Sequence, residues 1–342
     1  MTKTECLRRK EEHMKKVFKK IVAAGLSMLL ALSVLTGCGS AEEEKMTVRV
    51  GGMKGPTSMG LLFLKEESEA GEALENYEFT MVTAADELLP LMMKGEMDIA
   101  LVPANVASVL YNKTEGGISV IDINTLGVLY MVSGDNSISK VEDLKGKTIY
   151  LTGKGTTPDY VLHYILTGNG LSESDVTLEY KSEATEVAAL LAENPAAIGL
   201  LPQPFVTVAC SQNEALSVVM DMNEQWSLLQ GENGSRMVTG VTVVLNAFLE
   251  ENEKAVKHFL QEHQESTDSI NSNVEKGAEL AANAGIIAKA PIAQKAIPKC
   301  NITYIDGAEM KQALSGYLQV LFEQNAASVG GKLPEEGFYY IQ

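Results

Sequence analysis

The chain has 342 residues, a net charge of −17 and 45% hydrophobic residues, so it can bury a large core without a disulfide framework. Residues 1–37 carry eight Lys or Arg and three Asp or Glu, so the chain without them has a net charge of −22. Such an acidic surface repels nucleic acid and offers no polybasic patch to anionic lipid, which excludes nucleic-acid partners.

The N-terminus has the parts of a secretory signal. Eight basic residues precede the apolar run Ile21–Leu35, which is shorter than the ~20 residues that span a bilayer. The run ends in Leu-Thr-Gly-Cys38, which resembles the bacterial lipobox, where cleavage precedes a lipid-bearing cysteine. We expect a lipoprotein anchored on the extracytoplasmic face of the cell membrane, with residues 38–45 as tether. The alternative is an ordinary signal peptide, and the start is either Met1 or Met14.

The next part of the chain alternates between short β-branched strands and helices. The predicted elements are strand Thr47–Val50, a helix from Thr57 or Ser58 with Thr57 as N-cap, strand Tyr77–Val82, helix Ala85–Lys94, strand Asp98–Val102 and a helix from Pro103 through Tyr111. This βαβα order implies a parallel sheet with helices on both faces and ligands at the carboxyl ends of its strands.

A second βα series follows the apolar stretch Leu126–Val132. Its predicted elements are strand Thr148–Leu151, helix Asp159–Leu166, strand Val176–Tyr180, helix Glu183–Leu191, strand Ala197–Leu201, strand Val241–Leu245 and helix Glu250–Gln264. The chain is mostly helical from there to about Asn325. Two similar βα series joined by an extended stretch predict two lobes with a cleft between them.

Five phrases in this order carry a family resemblance. They are Lys54-Gly-Pro-Thr-Ser-Met, Lys94-Gly-Glu-Met-Asp-Ile-Ala, Val141-Glu-Asp-Leu-Lys-Gly-Lys-Thr, Leu200-Leu-Pro-Gln-Pro-Phe and Gly330-Gly-Lys-Leu-Pro-Glu-Glu-Gly-Phe-Tyr-Tyr. The chain resembles the type II periplasmic substrate-binding proteins of the nitrate, sulfonate, taurine and thiamine-pyrimidine-precursor uptake group. The resemblance covers essentially the whole chain after the signal segment.

This resemblance implies a two-lobed α/β fold, in which each lobe is a mostly parallel sheet flanked by helices. It implies a first lobe of residues 46–129 plus 240–342 and a second lobe of residues 130–239. The crossovers near Gly127–Val132 and Thr239–Val243 would form the hinge about which the lobes close on a ligand.

Candidate ligand contacts lie at helix N-termini that follow glycine-containing loops. Free backbone N–H groups there bind acceptors and anions, helped by the helix dipole. The candidates are Lys54, Gly55, Thr57 and Ser58 on the first lobe, and Gly155, Thr156 and Thr157 on the second. Each group alone is also explained by ordinary turn and capping chemistry, and Lys54 by solvation. Their expected placement across one cleft is what favours a binding role.

Further candidates are single side chains near strand ends or crossovers. Asn105 and Gln203 are amides after strands, Arg236 could clamp a carboxylate or sulfonate, and Thr239 lies at the return crossover. Candidates for stacking against a ligand, each of them also suited to the core, are Tyr130, Tyr160, Phe205 and Trp226.

The same sequence argues against metal and enzyme chemistry. Cys210 and Cys300 are expected to be free, buried thiols, and no Cys or His cluster has metal-ligand spacing. His258 and His263 are five residues apart, so they do not share a helix face and are expected to be solvated. Neither a phosphate-binding loop of the Walker type nor a Gly-x-Ser-x-Gly elbow occurs. We predict no cofactor.

The sequence therefore predicts a monomeric solute-binding lipoprotein. It would capture a small polar or anionic molecule and deliver it to the permease and ATPase subunits of an ABC importer. The alternatives are a ligand-sensing subunit for another membrane partner and a cell-surface enzyme on the same fold. Sulfonates, vitamin precursors and other small heterocycles all stay open as ligands.

Overall fold

The computed structural model describes residues 45–231 and 234–341. The predicted signal peptide, the predicted lipidation site Cys38 and nearly all of the predicted tether lie outside these residues. None of the helices within the described ranges is long and apolar enough to span a membrane.

Eleven strands lie within the described ranges. They are β1 Thr47–Met53, β2 Asn76–Val82, β3 Ile99–Pro103, β4 Ile118–Leu126, β5 Leu129–Ser133, β6 Thr148–Thr152, β7 Thr177–Lys181, β8 Ile198–Pro202, β9 Ser217–Asp221, β10 Val238–Leu245 and β11 Ile302–Ile305.

Twelve α-helices connect and flank these strands in the described part of the chain. They are α1 Leu62–Ala70, α2 Ala85–Met93, α3 Ala104–Lys113, α4 Thr157–Gly168, α5 Ala184–Glu193, α6 Phe205–Gln212, α7 Met222–Gln230, α8 Asn246–Glu251, α9 Glu253–Ser272, α10 Val274–Asn283, α11 Ala290–Ala296 and α12 Gly307–Gln324.

The strands form two mixed sheets, which confirms the predicted two-sheet α/β fold. The first has the order β11-β4-β10-β3-β1-β2, and the second has the order β7-β6-β8-β5-β9. The βα-derived strands pair in parallel, β1 with β2 and β3, and β6 with β7 and β8. The strands next to the crossovers, β5 and β10, pair antiparallel with both of their neighbours, so each sheet is more mixed than the sequence pattern implied.

The chain passes between the sheets twice. It leaves the first sheet at β4 and enters the second at β5 across Gly127-Val128, and it returns between α7 and β10. Strands β5 to β9 therefore form the second sheet, while the first sheet consists of strands that precede and strands that follow this segment in sequence. The division into lobes at residues 130 and 240 stays a prediction.

The central strands are buried because helices cover both faces. Every residue of β5 is buried, as are eight of the nine in β4. A strand covered on both faces has no face in contact with solvent, so even the polar Asp122 and Asn124 of β4 are buried. The edge strands β7 and β2 expose alternate residues.

The C-terminal helix α12 packs against elements of both sheets. It contacts α3, β4 and β10 of the first sheet and α4 beside the second. The fully buried Trp226 of α7 packs on Tyr317 of α12, with ring centroids 5.4 Å apart. Gln324 and Asn325, at the end of α12, donate to the carbonyl and hydroxyl of Tyr160. Trp226 is therefore a core residue rather than a stacking platform for a ligand.

Two predicted helices differ from the observed ones. Thr57 is not an N-cap, because Gly55 precedes a short 3₁₀ helix, Pro56–Leu61, and α1 begins only at Leu62. The long helix predicted from Glu250 is two helices, α8 and the twenty-residue α9.

Candidate functional site

A cavity of about 360 Å³ lies where strands of both sheets end, beside the two crossovers. Its polar lining residues are Asn105, Thr156, Thr157 and Thr239. Its apolar lining residues are Pro103, Val106, Val128, Leu129, Pro158, Pro202 and Met237. The volume falls at the lower end of the range of about 300–1,000 Å³ that is typical of small-molecule sites.

Parallel strands of the two sheets bring these residues together. Pro103 ends β3 and leads directly into α3, which carries Asn105 and Val106. From the second sheet, β8 ends at Pro202, and β6 leads through a short loop into α4. Carboxyl ends of parallel strands are where open α/β sheets bind their ligands.

The loop between β6 and α4 is fixed by its own hydrogen bonds. Gly153 has φ +76°, which suits glycine, and its carbonyl accepts bonds from both the backbone N–H and the hydroxyl of Thr156. The backbone N–H of Gly155 donates to the carboxylate of Asp159, over 2.8 Å. These contacts hold Thr156 and Thr157 at the cavity wall.

Asp159 is the anchor of this loop. Its second carboxylate oxygen accepts from the hydroxyl of Tyr180 over 2.6 Å and lies 3.2 Å from Nε2 of His163. Burial and then the bond to Asp159 raise the pKa of Tyr180 above its ordinary value of 10, so that hydroxyl stays protonated and donates.

Across the cavity, the side chain of Asn105 comes from the first turn of α3. Its Nδ2 donates to the carbonyl of Ser328 over 3.3 Å, which holds the half-buried amide against the segment after α12. The hydroxyl-bearing Thr239 is half-buried near the start of β10. The cavity therefore has uncharged amide and hydroxyl groups on an otherwise apolar wall.

The family described as NMT1/THI5 like matches residues 87–276, more than half of the chain. The chain belongs to the NMT1/THI5-like family. No curated protein matches it in sequence.

Solved structures of similar fold cover most of the chain. An ABC transporter structure from Parabacteroides distasonis is 25% identical, covers 86% of this chain and 99% of its own, and has a TM-score of 0.73. The periplasmic aliphatic sulphonate binding protein of Escherichia coli is 17% identical, with 86% and 95% coverage and a TM-score of 0.66. A putative sulfonate-binding periplasmic protein from Methylobacillus flagellatus is 14% identical, with 87% and 92% coverage and a TM-score of 0.64. The last two matches show the fold alone.

In this family member, four of the predicted contact residues meet at the cavity: Asn105, Thr156, Thr157 and Thr239. Ligand contact by these residues stays a prediction. Gly155 lies one residue outside the lining, with its N–H bound to Asp159.

The predicted first-lobe contacts lie elsewhere. Ser58 is fully buried, and its hydroxyl accepts from the backbone N–H of Met53 over 2.9 Å. Thr57 is buried against Gly240, where an added Cβ would come within 2.5 Å of the Thr57 methyl. Lys54 is exposed, and neither it nor Gly55 lines the cavity. The cavity is thus lined by residues at the start of α3 and not by Thr57 or Ser58.

Three other candidates are engaged outside the cavity. The Tyr130 hydroxyl donates to the carbonyl of Lys299 over 2.7 Å, and Tyr130 borders a different groove. Gln203 is 1% exposed; its Oε1 accepts from the Thr207 hydroxyl, and its Nε2 is buried without a hydrogen-bond partner. Arg236 forms an exposed ion pair with Glu309, with Nη2 and Oε1 2.7 Å apart, and it does not line the cavity.

The residues that sequence reasoning missed are apolar. Met237, Val106 and Val128 look like ordinary core residues in the sequence. The one available indication was proline at strand ends, because Pro103 and Pro202 are each the last residue of an apolar strand that leads into a helix.

The prediction that His258 and His263 are both solvated is wrong, because each of them lies against a carboxylate. His263 is fully buried in α9, with Nδ1 3.3 Å from the carboxylate of Asp122, which also accepts from the Thr242 hydroxyl. His258 is partly buried, and its Nδ1 lies 2.7 Å from Glu75. Periodicity correctly separated their faces but could not reveal carboxylates more than a hundred residues away in sequence.

The cysteines are unpaired, as predicted: Cys300 is buried and Cys210 half-buried. Within residues 45–231 and 234–341, no group of three or more His, Cys, Asp or Glu is arranged to hold a metal ion.

Proposed function

We propose that this chain is the extracytoplasmic solute-binding component of an ABC importer. In this proposal it captures a small molecule in the cavity between the two sheets and delivers it to a permease and its ATPase. The observation that carries the proposal is the cavity itself, whose wall combines the start of α3 from one sheet with the start of α4 from the other. Membership of the family and the fold shared with an ABC transporter structure support it.

The cavity's position suggests how binding couples to movement. Because its wall takes residues from both sheets, a ligand makes all of its contacts only when the sheets are close together. Differential affinity for that arrangement would shift the population toward it, by hinge movement at the two crossovers. The permease would then distinguish loaded from empty protein by shape.

The lining favours binding over catalysis. Its described residues are Pro, Val, Leu, Met, Asn and Thr, none of which is a general base or an activated nucleophile at neutral pH. The proposal therefore assigns the chain as a binding protein and not as an enzyme.

Membrane attachment completes the proposal. We propose that Cys38 receives the lipid and that residues 38–45 hold the folded part at the outer face of the membrane. The basic, apolar and Leu-Thr-Gly-Cys segments in order support this part. A tethered binding protein is concentrated near its permease.

The test is a ligand screen by thermal shift on the purified full chain. A ligand at about 100 times its Kd stabilises the folded state by roughly 2.7 kcal/mol, which is readily detected. Val106→Trp, which fills the cavity from a half-buried position, should abolish the shift. Val218→Trp, on the rim of a separate groove, is the matched control and should preserve it.

Co-purification identifies the partner. Recovery of an ABC permease with the ligand-loaded chain is the expected result. Recovery of a different membrane receptor would replace the importer assignment with that of a sensing subunit. Conversion of the ligand into a product would contradict both.

A further inference from the structure

We infer that the cavity binds an uncharged molecule, with an apolar body and at least one amide-like or hydroxyl-like group, rather than an anion. This inference rests on the proposed function and narrows the ligand class of the same site. Among the described lining residues there is no Lys, Arg or His, and none of the four polar ones carries a charge.

The cations nearest in sequence to the lining have other partners. Arg236, beside Met237, is paired with Glu309. Lys154, in the loop before Thr156, lies over the ring of Tyr180 at 5.3 Å from its centroid. An anion in the cavity would therefore be desolvated without a counter-charge from these side chains, which is a costly state.

The start of α4 is also poorly suited to an anion. A helix N-terminus attracts anions through free N–H groups and a partial positive charge. Here the N–H of the N-cap residue Thr156 is bound to the carbonyl of Gly153, the N–H of Gly155 just before it is bound to Asp159, and Pro158 in the first turn has no N–H. The buried carboxylate of Asp159, also in the first turn, already neutralises the helix dipole.

Neutral groups fit the polar part of the wall. An amide such as Asn105 and hydroxyls such as those of Thr157 and Thr239 can each donate and accept, whereas an anion needs donors only. The rest of the wall is apolar, so burial of apolar ligand surface against it contributes favourably to the free energy of binding. The acidic charge of the whole chain, −17, further disfavours the approach of anions.

The experiment compares probes of the same shape and different charge. Binding of benzamide and benzoate, and of butanesulfonamide and butanesulfonate, is measured by calorimetry on the full chain at neutral pH. Each neutral probe is expected to bind about ten- to a hundredfold more tightly than its anion, because an unpaired buried charge carries a penalty that the neutral probe avoids.

Two protein variants test whether the probes bind in this cavity. Val106→Trp should remove binding of the neutral probes, and Val218→Trp should leave it unchanged. If Val106→Trp fails to fold, competition between each neutral probe and a ligand found in the screen gives the location on the unaltered chain.

Each other outcome is decisive. Anions that bind as tightly as their neutral partners, with loss in Val106→Trp, would overturn the inference and leave the proposed function intact. Absence of binding by all four probes would also overturn it. In that case the proposed function is judged separately, by whether the wider screen finds any ligand lost in Val106→Trp.

Discussion

Replacing Asp159 by Ala should both destabilise the fold and weaken ligand binding. Asp159 is only 7% exposed, and its carboxylate accepts bonds from the Gly155 N–H at 2.8 Å and the Tyr180 hydroxyl at 2.6 Å. A hydrogen bond to a charged group contributes about 1.5–3 kcal/mol. The two bonds share one acceptor group, and Tyr180 is half-exposed and can be rehydrated. We therefore expect a loss of about 2–4 kcal/mol rather than the full sum.

The effect on binding has the same origin. Without its anchor at Asp159, the loop of residues 153–156 no longer holds Thr156 and Thr157 at the cavity wall. Ordering this loop then has to accompany binding, and fixing even one residue costs about 1–2 kcal/mol. Ligand affinity should accordingly fall about tenfold.

Urea unfolding of the full chain measures the first effect, and calorimetry with a ligand from the screen measures the second. Asp86→Ala is the matched control, since Asp86 is an exposed acid in the first turn of α2. It should lose only the helix-dipole contribution, about 0.3–1 kcal/mol. A loss below about 0.5 kcal/mol in Asp159→Ala, which is the scale of ordinary surface substitutions, would refute the anchoring role.

Three further predictions follow from single groups. With Cys6 and Cys38 replaced by Ala, the native chain should label slowly with a thiol reagent, because burial raises the pKa of Cys300 to about 12 and also raises that of Cys210. After unfolding, two thiols per chain should react, and a count of zero would refute the unpaired state. Hydrogen bonds from Ser137, and then from Lys147, lower the pKa of Asp135 from 3.8 to about 2. The contribution of Asp135 to the free energy of unfolding is therefore present above pH 3.8 and is lost as the pH falls toward 2. In Asp135→Asn the free energy of unfolding should depend less on pH in that window, and an unchanged pH profile would contradict this role. Cys38→Ala should release the protein from membranes or stall its export, whereas normal membrane fractionation would contradict lipidation.

The βα elements were predictable because each depends on local patterns. Short apolar strands such as β3 and β8, which end in proline before a helix, lie within two residues of their predicted bounds. These patterns need only the period of the side chains and a turn residue.

The strand β4 was missed for a physical reason. It carries Asp122 and Asn124, which are buried yet polar, and which hydrogen-bond to Thr242 of β10. Polar residues in a strand interior hide the apolar pattern, and their partner lies 118–120 residues away. A separation of 141 residues hid the pairing of His263 with Asp122 in the same way.

The cavity was predictable only in part. The principle that ligands bind at strand ends selected Asn105 and Thr157, which both line the cavity, and their contact with a ligand stays a prediction. It also selected Ser58, which does not line the cavity and whose buried hydroxyl accepts from the Met53 N–H within a 3₁₀ helix. The apolar wall was not predicted at all, since in sequence Val106 and Met237 cannot be distinguished from core residues.

The most direct test of the account is a crystal structure of the chain with a ligand from the screen. We expect the ligand between the start of α3 and the start of α4, in contact with Val106 and Thr157 and with residues of both sheets. A ligand bound instead in the groove beside Val218 and Lys299, with the cavity unaltered, would contradict the assignment of this cavity as the capture site.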